Sequence, residues 1–301
     1  MAGFRLTRVK EFGLAFVQVC PSLQIRSNLT MESSNDNIWE SLRDEAEQAG
    51  KNERLLVAYL EETIQGQKSF DTALSYTLAS KLRDEILPGI TLRDLFLEIL
   101  ESEESMRQSI RIDLEAVKDR DPAANGYLTP FLFYKGFHAL SAYRFAHHLW
   151  YEERKTLALY LQSLISTVFG VDIHPAATIG HGILIDHATG VVIGETAVVG
   201  NNVSLLHGVT LGGTGKERGD RHPKVGDGVL IAAGAKVLGN IKIGEGAKIG
   251  AGSVVLKDVK PHCTVVGVPA KNIGTCKEAS PALGMNQQIG SSDLGGFDPV
   301  I

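Results

Sequence analysis

The stretch that decides the fold is residues 171–200, VDIHPAATIGHGILIDHATGVVIGETAVVG, in which aliphatic side chains recur every six positions. The same spacing returns in residues 224–256, KVGDGVLIAAGAKVLGNIKIGEGAKIGAGSVVL. The recurring positions are Ile173, Ile179, Ile185, Val191, Ala197, Val203, Val209, Val225, Ile231, Val237, Ile243, Ile249 and Val255. The step from Val209 to Val225 is longer than the others and predicts one repeat plus an insertion of ten.

A period of six excludes a helix with one apolar face, because six residues advance a helix by about 600°. Three short strands per coil satisfy the period, since each strand then turns one aliphatic residue inward. Glycine suits the tight corners between such strands, where φ is often positive. The pattern therefore predicts a parallel β-helix of hexapeptide repeats, with just over four coils of three hexads each and an extended loop.

The sequence before this region has a different composition and period. Of the 32 glycines, seven fall in residues 1–169 and 21 in residues 170–274, a step that predicts a domain boundary at Gly170. Upstream, the apolar spacing is helical. One such series is Leu74, Leu78, Leu82 and Ile86, which recur every four residues. We predict an α+β protein with an all-α oligomerisation domain over 37–169 and a catalytic β-helix domain over 170–274.

Both ends differ from these domains. Residues 1–36 form a variable N-terminal extension, whose first 30 residues are basic around an apolar patch. We interpret them as a variable or wrongly assigned start, with Met31 as the true one; a secretory or organellar targeting segment is the alternative. Residues 275–301 are polar and rich in glycine and serine, which predicts a flexible tail, yet they end in the apolar sequence FDPVI.

Composition excludes several classes of protein. A net charge of -5 gives no basic footprint for nucleic acid. No run approaches the ~18 apolar residues of a membrane span. The three cysteines, Cys20, Cys263 and Cys276, form no CxxC pair. This usage argues against structural zinc or a disulfide framework, and it indicates a reducing compartment, the cytoplasm.

The candidate chemistry lies where the repeat pattern breaks. Asp186 and His187 occupy a position where a corner would take small residues, and Asp172 precedes His187 by slightly less than one coil. This spacing predicts that Asp172 and His187 lie close together on adjacent coils. An imidazole oriented by a carboxylate can act as a general base, although a polar corner without a catalytic role is the alternative. No serine or cysteine nucleophile accompanies them, which favours direct activation of a substrate in a ternary complex.

Two other types of site compete at the same break. His187 and His222 have roughly the spacing of ligands in β-helix hydratases that bind zinc through three histidines, but the third histidine is missing, so we predict no metal. Residues 212–216, GGTGK, resemble a phosphate loop without the Walker spacing. We interpret them as the base of the extended loop.

The order of four motifs resembles the serine O-acetyltransferase family over about residues 38–274. The motifs are DIHPAATIG, GILIDHATGVVIGETA, VTLGGTGKERGDRHPKVGDG and GAKIGAGSVV, all downstream of a helical half. The resemblance implies a left-handed β-helix that transfers acetyl from acetyl-CoA to the L-serine hydroxyl, without a tightly bound cofactor. The product, O-acetyl-L-serine, is the first intermediate of cysteine synthesis from serine.

The resemblance also implies residue roles. His187, in DHATG, would be the general base, and Asp172, in DIHP, would orient it. The residues implied for serine are Asp121, Asp186, Arg221 and His222, with Glu195 in support. The residues implied for acetyl-CoA are Gly213, Ala233, Lys248 and Ala251.

Assembly and regulation are implied in the same way. The family forms trimers of β-helices, paired through the helical domains into hexamers, with active sites between protomers. L-cysteine would inhibit by competing with serine. Ile301 would insert into O-acetylserine sulfhydrylase, although an ordinary frayed tail is the alternative. Two other functions stay open: a hexapeptide acetyltransferase for a sugar or antibiotic, and a non-catalytic β-helix whose tail regulates a sulfhydrylase.

Overall fold

The computed structural model describes residues 31–215, 218–276 and 278–288. The first 30 residues of the predicted N-terminal extension and Ile301 lie outside these residues. Within them, the helices are α1 (Met31–Asn52), α2 (Val57–Leu60), α3 (Phe70–Leu82), α4 (Gly89–Ser102), α5 (Glu104–Arg120), α6 (Leu128–Phe133), α7 (Lys135–Tyr151), α8 (Lys155–Phe169) and α9 (Pro281–Gly284). A 3-10 turn (Arg54–Leu56) precedes α2, and a π turn (Glu61–Gln65) follows it. The first eight helices form the predicted helical half.

The second half is a parallel β-helix of about five coils. Its short strands are β1 (Val171–Ile173), β2 (Thr178–Ile179), β3 (Leu184–Asp186), β4 (Val191–Ile193), β5 (Val198–Val199), β6 (Ser204–Leu206), β7 (Thr210–Gly212), β8 (Lys224–Val225), β9 (Leu230–Ile231), β10 (Lys236–Leu238), β11 (Lys242–Ile243), β12 (Lys248–Ile249), β13 (Val254–Val255), β14 (Cys263–Gly267) and β15 (Ala270–Thr275). They form three sheets, one for each side of the coil: β1-β4-β7-β10-β13, β2-β5-β8-β11, and β3-β6-β9-β12-β14-β15. The last pair, β14 and β15, is antiparallel and ends the solenoid.

The strand register corrects the predicted phase of the repeats. Ile173 pairs with Ile193, which lies two positions beyond a regular coil of three hexads, and Ile193 pairs with Leu211 after a regular coil. The predicted inward positions of the second coil, Val191 and Val203 among them, are therefore two residues early. Both side chains are nevertheless fully buried, because each lies two positions before an inward aliphatic residue. The first coil contains two extra residues that the sequence pattern did not show.

The extended loop is also shorter than predicted. Thr210 pairs with Lys236, and Lys236 pairs with Val254. The step from Lys236 to Val254 equals three hexads, whereas the step from Thr210 to Lys236 is eight residues longer. The coil that carries the loop therefore contains eight extra residues rather than ten. They fall between β7 and β8, where Arg221 and His222 are located.

The helical half caps the open edge of the first coil. β1, β2 and β3 have a neighbouring strand on one side only. From α7, Arg144 donates to the Gly180 carbonyl (2.6 Å), and Tyr143 donates to the Ala177 carbonyl. From α5, Asp113 accepts from the Ile183 amide (2.9 Å). These buried side chains take the place of a further strand. They form hydrogen bonds with backbone groups that would otherwise be buried without a hydrogen-bond partner.

The helical stretch that ends at Tyr151 is broken into α6 and α7. Tyr134 has an extended ψ of 108° between α6 and α7, so Lys135 begins a new helix. Gly136 then lies against β3: a Cβ on Gly136 would be 2.0 Å from the Ile185 carbonyl oxygen. The break therefore brings the N-terminus of α7 directly onto the first coil.

Part of the predicted flexible tail is packed. Ala282, in α9, is fully buried, and its amide donates to the Gly228 carbonyl (3.2 Å). Its carbonyl accepts from Ser204 Oγ (2.9 Å). Because residues 275–301 contain few apolar side chains, the sequence predicted that this segment would not pack against the domain. Two small buried residues, Pro281 and Ala282, suffice here because backbone hydrogen bonds secure the segment to the β-helix.

Candidate active site

A cavity of about 880 Å³ lies at the junction of the helical half and the first coil; we call it the corner pocket. It contains three of the predicted site residues, Asp121, Asp186 and His187. The other lining residues are Asp119, Arg120, Pro122, Ala123, Phe133, Tyr134, Lys135, Gly136, Leu184, Ile185, Gly284, Met285 and Gln287. Residues from two halves of the chain, far apart in sequence, thus share one cavity.

Asp121 reaches the corner pocket because α5 ends there. It is the C-cap of α5, and Pro122 prevents the helix from continuing. The buried Arg120 secures this end, donating to Ser204 Oγ (3.1 Å) and Asn202 Oδ1 (3.2 Å) on the β-helix. Tyr134 lies nearby, and burial together with a hydrogen bond to Asp121 raises the pKa of its hydroxyl.

His187 stands at a distorted corner after β3. Its φ is 54° and that of Ala188 is 56°, in the left-handed region that residues with a Cβ rarely adopt. The side chain is 77% exposed, and its Nε2 is 3.8 Å from Asp186 Oδ1. The ring of His207 lies beside it, with the ring centroids 5.9 Å apart. An exposed imidazole at a cavity wall is accessible to a substrate.

Asp172 does not have the contact that the sequence analysis expected. It lies in β1, and its Oδ1 accepts from Gln162 Nε2 of α8 (2.7 Å). Among the described residues, no hydrogen bond joins it to His187. The two residues also belong to the same coil rather than to adjacent ones, since the first coil runs from β1 to the start of β4. The corner at His187 does lead into β4, which pairs directly with β1.

A second group of predicted residues lies at another corner, after β4; we call it the loop cluster. Arg221 Nη2 donates to Glu195 Oε2 (2.7 Å). Thr196 Oγ1 accepts from the backbone amides of Arg221 (3.0 Å) and His222 (3.1 Å). His222 Nδ1 accepts from the Thr196 amide (3.1 Å), so a neutral His222 carries its proton on Nε2. Thr196 therefore holds the extended loop onto the second coil.

The charges of the loop cluster follow from these contacts. The hydrogen bond from Arg221 holds the pKa of Glu195 below its usual range. Partial burial, and then the adjacent Arg221 charge, lower the pKa of His222. Burial also lowers the pKa of His174, the histidine beside Glu195. The cluster thus combines an ionised Arg–Glu pair with neutral imidazoles, a set of donors suited to a carboxylate.

Within one chain the two groups remain apart. The corner pocket contains none of Asp172, Glu195, Arg221 and His222. His187 lies at the corner between the β3 and β4 sides of the coil, whereas Glu195 follows β4 at the next corner. Of the seven residues predicted for the base and for serine, three therefore line the corner pocket and three lie in the loop cluster, while Asp172 is bonded to Gln162.

The residues predicted for acetyl-CoA have mixed surroundings. Gly213 adjoins the loop cluster, since a Cβ there would be 3.6 Å from the Arg221 carbonyl oxygen. Ala233 and Ala251 occupy equivalent corners of successive coils, each before a glycine with positive φ. Lys248 differs from the expectation, because it is 6% exposed and its Nζ donates to the Gln288 carbonyl (2.7 Å). The tail, which the sequence predicted to be flexible, packs over Lys248 and covers it.

Several residues of the candidate site were not predicted from the sequence. Tyr134 and Lys135 line the corner pocket, and Thr196 organises the loop cluster. Gly136 carried the one usable signal, because a glycine within a helical pattern often marks a close approach. The contacts of Thr196 depend on the positions of neighbouring coils, which no local pattern encodes.

Membrane spans and metal sites are both missing from the part of the chain that the structure describes. No helix there is long and apolar enough to span a membrane. In the same residues, no group of three or more histidine, cysteine, aspartate or glutamate side chains is arranged to hold a metal ion.

Comparison with known proteins agrees with this architecture. Residues 222–257 match the family model "Bacterial transferase hexapeptide (six repeats)", which places the chain in the class of hexapeptide-repeat transferases. Residues 38–142 match "Serine acetyltransferase, N-terminal". The serine acetyltransferase of Haemophilus influenzae is 53% identical over 85% of this chain and 97% of its own length. The chain belongs to the serine acetyltransferase family.

Solved structures show the same relationship. A soybean serine acetyltransferase complexed with serine has a TM-score of 0.78 and 56% identity, over 79% of this chain and 98% of that one. A serine acetyltransferase in complex with cysteine has a TM-score of 0.83 and 52% identity, over 85% and 99% of the two chains. The fold and the acyltransferase class are thus confirmed together.

Proposed function

We propose that the protein transfers acetyl from acetyl-CoA to the hydroxyl of L-serine, with His187 as the general base. The observation that carries the proposal is the corner pocket, which places an exposed imidazole beside two carboxylates, those of Asp121 and Asp186. An amino-acid substrate has an ammonium group that such carboxylates bind, whereas a sugar has none. The soybean relative complexed with serine supports the same acceptor.

The reaction needs one proton to move twice. The imidazole of His187 removes the proton of the serine hydroxyl while the oxygen attacks the thioester carbonyl of acetyl-CoA. The tetrahedral intermediate then collapses, the carbon–sulfur bond breaks, and the imidazolium returns the proton to the CoA thiolate. The products are O-acetyl-L-serine and CoA. No covalent enzyme intermediate is needed, in keeping with a base that activates the substrate itself.

The loop cluster supplies the remaining contacts to serine. Arg221 and His222 would bind the serine carboxylate, and Glu195 would hold the guanidinium in place through the 2.7 Å hydrogen bond. Because these residues lie at a different corner from His187, we infer that they act on the corner pocket of a neighbouring protomer. The active site would then lie between subunits of a trimer, with the trimers paired through the helical domains into a hexamer.

Asp172 remains our candidate for orienting His187, and Gly213, Ala233 and Ala251 for binding acetyl-CoA. Two rearrangements follow from the contacts of the single chain. Asp172 would exchange its hydrogen bond with Gln162 for one with His187. Lys248 would reach a CoA phosphate only after the Gln288 carbonyl leaves its ammonium.

Regulation and location complete the proposal. L-cysteine would inhibit by occupying the serine site, consistent with the relative solved in complex with cysteine. Ile301 would anchor O-acetylserine sulfhydrylase. We place the enzyme in the cytoplasm, on the basis of its cysteine usage, with targeting by residues 1–30 as the alternative.

The first test is the release of CoA thiol from acetyl-CoA with L-serine, with and without L-cysteine. We expect release that depends on serine and is inhibited by cysteine. His187→Ala should lower kcat by about 10²- to 10⁴-fold, the usual loss for a general base. Release with a sugar or amine but not with serine would reject the acceptor, and near-normal turnover by His187→Ala would reject the mechanism.

A further inference from the structure

The corner that carries His187 is held in an unusual backbone conformation. Both His187 and Ala188 have left-handed φ values, 54° and 56°, within a coil that is two residues longer than the next. Residues with a Cβ adopt this conformation only where their surroundings impose it. The direction of the imidazole therefore depends on what holds this corner.

Contacts with neighbouring segments hold both ends of the corner, and before it Asp186 pairs with Leu206 of the next coil. The Gly190 amide donates to the Gly170 carbonyl (2.7 Å), and the Gly208 amide donates to the Thr189 carbonyl (2.8 Å). The amides of Ala188 and Thr189 form bonds within the turn itself, to Asp186 and His187. The β-helix therefore anchors residue 186 before the corner and residues 189 and 190 after it, but leaves the peptide of His187 to other contacts.

The N-terminus of α7 supplies those contacts. Lys135 Nζ donates to Thr189 Oγ1, and the Thr189 hydroxyl in turn donates to the His187 carbonyl (3.4 Å). On the other side of His187, Gly136 packs against the Ile185 carbonyl, where a Cβ would be only 2.0 Å away. Two consecutive residues of α7 thus bracket the segment from Ile185 to Thr189.

We propose that Lys135 is a positioning residue for the general base, acting on His187 through Thr189. The inference rests on the proposed role of His187. A base abstracts the serine proton only from hydrogen-bond distance, and a misplacement of about 1 Å costs up to about 10²-fold in rate. Lys135 also lines the corner pocket, so direct contact with a substrate carboxylate is the competing role.

The test measures kcat and KM for serine in Lys135→Met, Thr189→Val and the double variant of the full chain. We expect each single variant to lower kcat about tenfold with little change in KM. The double variant should be no slower than either single variant, because both changes break one chain of contacts. Lys135→Arg and Thr189→Ser, which retain a donor and a hydroxyl, should recover most of the rate.

Lys155→Met is the matched control. Lys155 is also the first residue of a helix, but it pairs with Glu153 (2.8 Å) outside the corner pocket. Its kcat should stay within twofold of the parent, and the urea midpoints of all variants should agree if folding is intact.

Three outcomes would overturn the inference. The first is a higher KM for serine with an unchanged kcat in Lys135→Met, which would make Lys135 a substrate ligand. The second is a further loss when Lys135→Met is added to Thr189→Val. The third is an unchanged kcat in both single variants. Failure of the proposed function itself is seen separately, as turnover that His187→Ala leaves intact.

Discussion

At the scale of single residues, the absence of a side chain at Gly194 makes room for His222 of the loop cluster. A Cβ on Gly194 would be 2.1 Å from His222 Nε2, so only glycine admits that imidazole. His138 of α7 is a different case, because it is buried and takes no part in the site. Its Nε2 donates to the Phe131 carbonyl (2.7 Å) and so closes the break between α6 and α7.

His138 should make stability depend on pH. Burial lowers its pKa from 6.5 to about 3, so between these values the unfolded chain binds a proton that the folded chain does not. Stability is therefore lost as pH falls below 6.5, by about 1 kcal/mol at pH 5.5. His138→Gln retains an amide donor but cannot titrate. Urea unfolding at pH 7.5 and 5.5 should show a smaller loss in this variant, and equal losses would contradict the assignment.

At the scale of elements, the helical half replaces a missing strand at the edge of the β-helix. Arg144 and Asp113 form the centre of this cap, with Arg144 Nη2 and Asp113 Oδ2 2.6 Å apart and both residues buried. Burial raises the pKa of Asp113, and the Arg144 charge opposes that effect. Each side chain also binds backbone groups of the first coil, so the pair connects the two halves.

Removing one partner of this pair should be costly. Arg144→Met leaves the Asp113 carboxylate buried without its cation, which typically costs about 3–5 kcal/mol of unfolding free energy. The matched control is Arg93→Met, because Arg93 pairs with Asp94 at a similar distance (2.8 Å) on the exposed surface. That variant should change stability by less than about 1 kcal/mol. Similar urea midpoints for the two variants would show that the cap does not stabilise the fold.

At the scale of the whole molecule, the proposed function divides the active site of one chain into two incomplete halves. In that proposal, the corner pocket would offer a base and carboxylates for an ammonium group, and the loop cluster would offer an arginine and a histidine for a carboxylate. A β-helix of this kind is rigid along its corners, so the two groups cannot approach each other by bending. A neighbouring copy in a cyclic trimer would bring one corner to the other.

Mixed trimers provide a direct measurement of this arrangement. His187→Ala and Arg221→Ala, each inactive alone, should regain activity when they are co-expressed. With random assembly, about a quarter of the interfaces combine an intact His187 with an intact Arg221, which predicts about a quarter of parental activity. Trimers mixed after separate expression, without exchange of subunits, are the control. No recovery on co-expression would place both residues in one chain's site.

The sequence predicted the β-helix accurately but not its phase. Ile231, Ile243 and Ile249 all point inward with at most 1% exposure, as the six-residue period required. In the second coil the same period also fits the residues that lie two positions before the inward ones, such as Val191 before Ile193. The side chains at these earlier positions are buried as well. A local pattern cannot distinguish two buried positions of one repeat, so the two extra residues at His187 became visible only from the strand register.

The sequence alone predicted the class of fold and the family correctly and supplied the candidate site residues, because repeats, glycine corners and short motifs are local properties. Tertiary structure decided which of these residues meet. The corner pocket combines Asp121 with Asp186 and His187 only because α5 and α7 cap the first coil. Likewise, Lys248 is covered because α9 and Gln288 pack on the β-helix. Contacts between segments far apart in the chain depend on the packing of whole elements, which no single stretch of sequence encodes.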